Sequence, residues 1–91
     1  MIREHIREEL KEKEFNDTVI FDNPSFDDSI VGYTEDGRLV YDYDSMIVEL
    51  AGEDGISLIE AQEFIDYNTI RALPYAGEKA PIIIYAFESD T

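Results

Sequence analysis

The chain has no cysteine, a single histidine and few cations. Without cysteine, neither a disulfide framework nor a thiolate metal site is possible, and a reducing compartment is the expected setting. The lone histidine, His5, falls on a charged, exposed helical segment, and the sequence places no nucleophile beside it. General acid–base chemistry needs a positioned partner, so a Ser-His-Asp arrangement has no support. These absences favour a binding protein over an enzyme.

Long apolar runs are missing as well. The longest one, Pro81 to Phe87, is far too short to span a bilayer, and the first residues, MIREHIREELKEKE, contain no apolar leader. No membrane association is predicted, and the expected location is cytoplasmic. A length of 91 residues predicts one domain, 1–91, with a helix over 1–14 and an α+β core over 18–87.

Charge of one sign dominates what is present, with 22 Asp and Glu residues against 7 Lys and Arg residues and a net charge of −15. In residues 1–13 four cations balance four anions, so the whole net charge lies in residues 14–91. A small body this acidic repels nucleic acid and phospholipid head groups and attracts basic protein surfaces. Direct nucleic-acid binding is therefore not expected, and the predicted partner is a basic surface of another protein, such as a nucleic-acid-binding protein.

In the N-terminal segment, apolar residues recur at the spacing of an α-helix. Ile2, Ile6 and Leu10 recur every four residues among good helix formers, which predicts an amphipathic helix ending near Glu14. Its apolar stripe is narrow, so the helix is expected to be an appendage that packs lightly or against a partner.

Short β-rich runs follow, and they predict strands at Thr18–Phe21, Ser29–Tyr33 and Arg38–Tyr43. Between the last two, Asp36-Gly37 is typical of a two-residue type I′ hairpin turn, because both central residues need positive φ. Alternation then assigns side chains to two faces. The core face has Ile30, Gly32, Leu39, Tyr41 and Tyr43, and the outward face has Val31, Tyr33, Glu35, Arg38, Val40 and Asp42.

Two helices and a last strand complete the prediction. The first helix is expected at Met46–Ala51, ended by Gly52. The second starts at the capping box Ser57-Leu58-Ile59-Glu60 and runs to about Leu73, with Leu58, Ala61, Ile65 and Ala72 inward. The unbroken apolar run Pro81–Phe87 predicts a strand covered on both faces, central in its sheet. The sum is an α+β fold: a small antiparallel sheet of three to four strands, two helices packed on one face, and the N-terminal amphipathic helix.

A resemblance accompanies these patterns. The segment Glu63–Tyr75, with its YNTIRALPY stretch, and the following Ala80–Tyr85, APIIIY, together with the hairpin Ser29–Asp44, resemble a group of small acidic uncharacterised proteins of bacteria and their mobile elements. The resemblance covers residues 18–87. It implies no particular activity, cofactor or site.

Candidate partner-binding residues come from the acid–aromatic composition. Tyrosine provides contact area at low entropic cost and carboxylates pair with Arg in bidentate fashion, so an acidic surface with exposed tyrosines suits a basic groove. Tyr41 and Tyr43 alternate with Asp42 and Asp44, so they could belong to such a surface. The alternative is that both tyrosines are core residues, as the alternation of the strand predicts. The predicted partner-binding residues are Tyr33, Glu35, Asp42, Asp44, Glu53, Asp54, Glu60, Glu63 and Tyr67.

Metal binding is the remaining chemistry to weigh. Asp27-Asp28, Asp42 with Asp44, and Glu53-Asp54 are carboxylate pairs, but setting Gly55 at the sixth position of a calcium loop leaves its first, third and twelfth positions without side-chain oxygens. Turn and capping roles explain these acids, and no cofactor, metal or catalytic residue is predicted.

The expected function is a non-enzymatic acidic interaction protein, in the manner of nucleic-acid-mimicking anti-restriction or anti-CRISPR inhibitors. The alternatives are a scaffold or antitoxin-like partner that uses its N-terminal helix and, last, a metal-dependent hydrolase.

Overall fold

The structure is a computed structural model that describes residues 2–87, with side chains from residue 3 onward. Met1 and the side chain of Ile2, which the predicted apolar stripe includes, lie outside the described residues. Three α-helices and three strands form an α+β fold: α1 (Ile2–Glu12), β1 (Ile30–Tyr33), β2 (Leu39–Asp42), α2 (Tyr43–Asp54), α3 (Leu58–Phe64) and β3 (Ile82–Ile84). Short 3-10 turns occur at Asp27–Ser29 and Leu73–Tyr75. The predicted fold class is confirmed.

The sheet has three strands in the order β1-β2-β3. β1 pairs antiparallel with β2, whereas β3 pairs parallel with β2, with Tyr41 opposite Ile83. The sheet is therefore mixed, and the predicted central position of Pro81–Phe87 is wrong. Only Ile82–Ile84 form a strand, which lies at an edge, and Ile84 is 43% exposed. The unbroken apolar run predicted a strand buried on both faces. That prediction fails because the helices cover too little of the strand's outer face.

The hairpin turn is longer than predicted. The Thr34 amide donates to the Arg38 carbonyl at 2.8 Å and the Gly37 amide donates to the Thr34 carbonyl at 3.0 Å. Gly37 has a φ of +85°, but Asp36 is not among the residues of positive φ in the described chain. The two-residue type I′ turn is thus wrong, and Tyr33 pairs with Leu39 rather than Val40. Leu39 and Tyr41 alternate along β2 and face the core as predicted. A bulge between Ile30 and Gly32 places Ile30 opposite Tyr41, whereas Gly32, predicted on the core face, lies opposite Val40 of the outward face.

The core is one cluster between the sheet and the helices. Its largest buried members are Tyr41, Phe26, Leu39, Met46 and Ile65, all under 2% exposed. The cluster also includes Tyr43, which confirms the core role for both tyrosines. The predicted strand Thr18–Phe21 is not a strand. Its residues instead use side-chain bonds to the hairpin: the Thr18 hydroxyl donates to the Gly37 carbonyl at 2.7 Å, and the Phe21 amide donates to the Tyr41 hydroxyl at 3.1 Å.

Helix α1 is not an appendage. Leu10 is only 4% exposed within the core cluster, and Ile6 packs against that cluster. Arg3 adds a bidentate ion pair with Asp27, with Nε–Oδ2 at 3.0 Å and Nη2–Oδ1 at 2.9 Å. A narrow stripe is sufficient for docking because the long loop after Asn16 supplies the opposing apolar side chains, Ile20 and Phe21 among them.

Helix α2 is longer than predicted at both ends. Asp42 caps its start by accepting from the Ser45 amide at 2.9 Å, and Gly55, with a φ of +66°, ends it instead of Gly52. An αL residue at that position satisfies the last helical carbonyls, which is why glycine is favoured there. Gly52 therefore lies inside the helix.

Helix α3 begins at the predicted capping box, where the Ser57 hydroxyl accepts from the Glu60 amide at 3.0 Å. The chain then becomes π-helical over Ile65–Ile70 before it returns to an α-turn at Arg71. A π-turn contains an extra residue, so the inward positions run Ala61, Ile65 and Ile70, the last spacing being five. This shift makes the predicted inward position of Ala72 wrong, since Ala72 is exposed. Leu58, which precedes the π-turn, was also predicted inward and is 57% exposed, so that prediction is wrong as well.

Candidate functional site

An open groove follows the outer side of α3 and the π-helical segment. We call it the acidic groove; it is lined by Glu60, Glu63, Phe64, Asp66, Tyr67 and Arg71. Two of its members are exposed aromatics, Phe64 at 40% and Tyr67 at 67%. The groove is thus an exposed surface where three carboxylates lie beside two aromatic rings.

The local sequence explains this arrangement. The capping box fixes the start of α3, so Glu60, Phe64 and Tyr67 follow one another at helical spacings of four and three. Glu63 lies on the same side as Tyr67, four residues earlier. The π-turn directs Ile65 and Ile70 inward and leaves Asp66, Tyr67 and Asn68 exposed, with Thr69 half-buried. The acidic groove is therefore the face opposite the core of one continuous helical segment.

Asp66 links this face to the core. It accepts a hydrogen bond from the Tyr43 hydroxyl at 2.5 Å. Burial, and then this carboxylate, raise the pKa of Tyr43 to about 12, because both disfavour a phenolate. Tyr43 also packs against the Tyr85 ring at a centroid distance of 4.6 Å. The position of Asp66 is consequently fixed by a buried partner, unlike those of Glu60 and Glu63.

Arg71 closes one end of the acidic groove. Its guanidinium carbon lies 4.7 Å from the centroid of the Tyr67 ring, a cation–π arrangement. From its place in the last turn of the helix, the sequence predicts that Arg71 pairs with Asp66 or the Tyr67 hydroxyl. The structure shows the ring contact instead. For Asn68, a polar interruption of the apolar period, the sequence predicts a hydrogen bond to a neighbouring loop. Its side-chain amide instead donates to the Phe64 carbonyl one turn earlier, at 3.1 Å.

Cations are scarce in the sequence that forms this side of the protein, where Arg71 lies at the end of the acidic groove. Residues 39–70 include eight carboxylates and no Lys or Arg. Two cations elsewhere have structural partners: Arg3 contacts Asp22 and Asp27, and Arg38 donates to the Ala80 carbonyl at 2.8 Å. Within residues 2–87 every ion pair within 4.0 Å involves Arg3. The carboxylates of the acidic groove therefore have no ion-pair partner among the described residues.

The predicted partner-binding residues are not one surface. Glu60, Glu63 and Tyr67 meet in the acidic groove, whereas Glu35 lies in the hairpin turn and Glu53 and Asp54 lie at the end of α2. Glu35 and Asp42 do not form an outward cluster, because they lie at opposite ends of the hairpin.

Two of these residues, Asp42 and Tyr33, have local structural contacts, and a third, Asp44, lies on another groove. Asp42 is the helix cap described above. The Tyr33 ring packs edge-on against Phe15 at 6.0 Å, and a hydrogen bond with Glu9 raises the pKa of its hydroxyl. Asp44 is exposed on α2, where it borders a second groove lined also by Ile47, Val48, Leu58, Ile59 and Gln62.

Sequence reasoning missed Phe64 and Asp66 as site residues. Both were detectable in principle, since Phe64 and Tyr67 alternate with Glu60, Glu63 and Asp66 at helical spacing. The π-turn that orients them has no comparable sequence signal.

Two carboxylates of the predicted pairs have structural roles. Asp27 pairs with Arg3, and Asp42 caps α2. Over residues 2–87, no three His, Asp or Glu side chains come close enough to hold a metal ion together. In the same range, none of the helices has the length and apolar character needed to cross a membrane.

Comparisons with family models, curated proteins and solved structures gave no match to this chain. The resemblance to small acidic bacterial and mobile-element proteins therefore stays a prediction.

Proposed function

We propose that this protein is a non-enzymatic binding protein whose acidic groove engages a basic surface of another protein. The observation that carries the proposal is the juxtaposition of Glu60, Glu63 and Asp66 with the exposed rings of Phe64 and Tyr67. Carboxylates accept paired hydrogen bonds from guanidinium groups, and aromatic faces stack on them. An Arg-rich surface satisfies both.

The partner surface is one that binds nucleic acid, so the protein acts as a mimic of the nucleic-acid backbone, as anti-restriction and anti-CRISPR inhibitors do. Spacing supports this form of the proposal. Carboxylates three residues apart along a helix lie about 4.5 Å apart along its axis. One DNA strand carries a charge about every 3.4 Å. A basic groove that accommodates one row of negative charge is suited to accommodate the other.

The alternative of a scaffold that uses its N-terminal helix has less support. Docking α1 into a partner's groove requires an unoccupied apolar stripe, and Leu10 is already buried in the core cluster of this chain.

The test is affinity capture from the native host, followed by binding kinetics with the captured partner. The test variant is Glu60→Gln with Glu63→Gln, since Gln keeps the capping box and removes two charges. The control is Glu8→Gln with Glu35→Gln, which removes two exposed charges elsewhere. We expect the test variant to weaken binding at least tenfold and to reduce its salt dependence, and the control to change both much less.

Two results would contradict the proposal. Equal losses in the two variants would mean that only total charge matters. Captured partners that bind no nucleic acid, or that nucleic acid does not displace, would rule out the mimic.

A further inference from the structure

A second exposed surface lies between α2 and α3, and it is apolar. Three aliphatic side chains are in contact with solvent there: Val48 is 63% exposed, Leu58 57% and Ile59 70%. With Ile47, Asp44 and Gln62 they line what we call the aliphatic groove. Single exposed aliphatics are ordinary on a protein surface, but a cluster in a concave surface with a polar border is typical of an interaction site.

Folding does not account for these side chains. The buried residues of α2 are Tyr43, Met46 and Leu50, and those of α3 and the π-helical segment are Ala61 and Ile65. The exposed aliphatics belong to other positions of the same helices. Polar residues at Val48, Leu58 and Ile59 would leave the core stripe intact, so their apolar character needs a different reason.

Charge restricts what can cover the groove. Asp44 borders it, and Glu60, Glu63 and Asp66 lie on the adjoining side of α3. A second copy would bring the same cation-free segment, residues 39–70, against itself. Like charges facing each other across an interface are unfavourable, and opposite charges favour both association and orientation. The complementary occupant is apolar along one line and basic on either side of it.

We infer that the aliphatic groove binds a basic amphipathic helix of the partner protein. This inference rests on the proposed function and specifies the partner. A groove between two packed helices receives a third helix through apolar side chains at positions i, i+3, i+4 and i+7. These side chains cover Val48, Leu58 and Ile59. Lys and Arg residues beside the stripe reach Asp44 on one side and the acidic groove on the other.

The experiment is a selection of displayed random 16-residue peptides on the wild-type protein, followed by anisotropy titrations of the enriched peptides. The expected peptides are rich in Lys and Arg and have apolar residues at helical spacing. The groove variant is Leu58→Gln with Ile59→Gln. Its matched control is Val31→Gln with Tyr75→Gln, which removes two exposed apolar side chains elsewhere. Circular dichroism establishes that each variant is folded.

We expect the groove variant to weaken binding of the enriched peptides at least tenfold and the control to weaken it less than twofold. Failures of the two proposals are distinguishable through Glu60→Gln with Glu63→Gln. Basic peptides without helical spacing that respond to this variant but not to the groove variant would overturn the helix inference and leave the proposed function standing. Apolar peptides that bind independently of salt would overturn both.

Two further outcomes would also overturn the helix inference. One is the enrichment of no peptide at all. The other is a wild-type dimer in sedimentation velocity that Ile59→Glu dissociates, because a second copy would then cover the aliphatic groove.

Discussion

The α1–hairpin side of this protein and its α2–α3 side differ in what their apolar and charged side chains contact. On the first side Leu10 is 4% exposed, Arg3 pairs with Asp27, and Arg38 donates to a carbonyl of the segment before β3. On the second side Leu58 is 57% exposed, and residues 39–70 contain eight carboxylates and no Lys or Arg. The cation that follows, Arg71, lies over the Tyr67 ring at the end of the acidic groove.

The difference shows that net charge alone describes this molecule poorly. Cations on the α1–hairpin side hold loops and helix together, so part of its negative charge is neutralised locally. The α2–α3 side keeps its negative charge and three aliphatic side chains in solvent. The first side is organised for stability, and the second presents the surface that the proposals use.

The largest expected effect is that of Gly37→Val, which acts at the centre of the α1–hairpin side. Gly37 has a φ of +85°, and a Cβ there would lie 2.8 Å from ring carbons of Phe15. Left-handed strain and overpacking together should reduce the free energy of unfolding by about 3 kcal/mol, measured by urea denaturation. Wild-type stability would mean that neither the turn nor the Phe15 contact is as described.

A matched pair of truncations tests the comparison directly. Leu10→Ala should reduce the free energy of unfolding by about 2–3 kcal/mol, because it leaves a cavity in the core. Leu58→Ala deletes the same atoms from an exposed side chain, so the free energy of unfolding should change by less than about 0.5 kcal/mol. Chemical denaturation of both variants gives the answer. Similar losses would show that the two sides do not differ in packing.

The two glycines near the end of α2 form a second matched pair, on the α2–α3 side. At Gly52, inside the helix with open space around a Cβ, alanine should stabilise the protein by about 0.5–1 kcal/mol. At Gly55, where φ is +66°, alanine should destabilise it by about 1 kcal/mol. Thermal melts give the two signs. If Gly52→Ala destabilised the protein and Gly55→Ala stabilised it, Gly52 rather than Gly55 would be the residue that ends the helix.

The smallest effect at neutral pH involves one buried tyrosine on each side. Burial raises the pKa of both Tyr41 and Tyr43 to about 12, against about 10 in an unfolded chain. The folded state therefore binds more protons than the unfolded state between these values. Stability contributed by each hydroxyl is fully present below about pH 10 and is lost as pH rises towards 12.

Urea denaturation at several alkaline pH values measures this loss in the wild type, Tyr41→Phe and Tyr43→Phe. Each variant should lose less stability with rising pH than the wild type. A Tyr43→Phe profile parallel to that of the wild type would mean that the Tyr43–Asp66 contact does not hold the hydroxyl neutral.

Local signals in the sequence were sufficient for much of the fold. The Ser57 capping box, the left-handed Gly37 and the alternation of Leu39 and Tyr41 depend on residues close in the chain, and the structure has all three. The exposure of Glu60, Glu63 and Tyr67 followed from the same helical period. Half of the acidic groove was therefore predictable.

Only the tertiary structure decided the rest. Leu10 is buried because loop residues distant in sequence cover it, and Ile84 is exposed because the helices cover too little of β3. The π-turn at Ile65–Ile70 adds one residue to the period, which no propensity marks, and it sets which side chains line the acidic groove. The sequence by itself determined composition, charge and local conformation. Which apolar stripe is covered and which stays in solvent depends on contacts between distant segments, and those exist only in the folded chain.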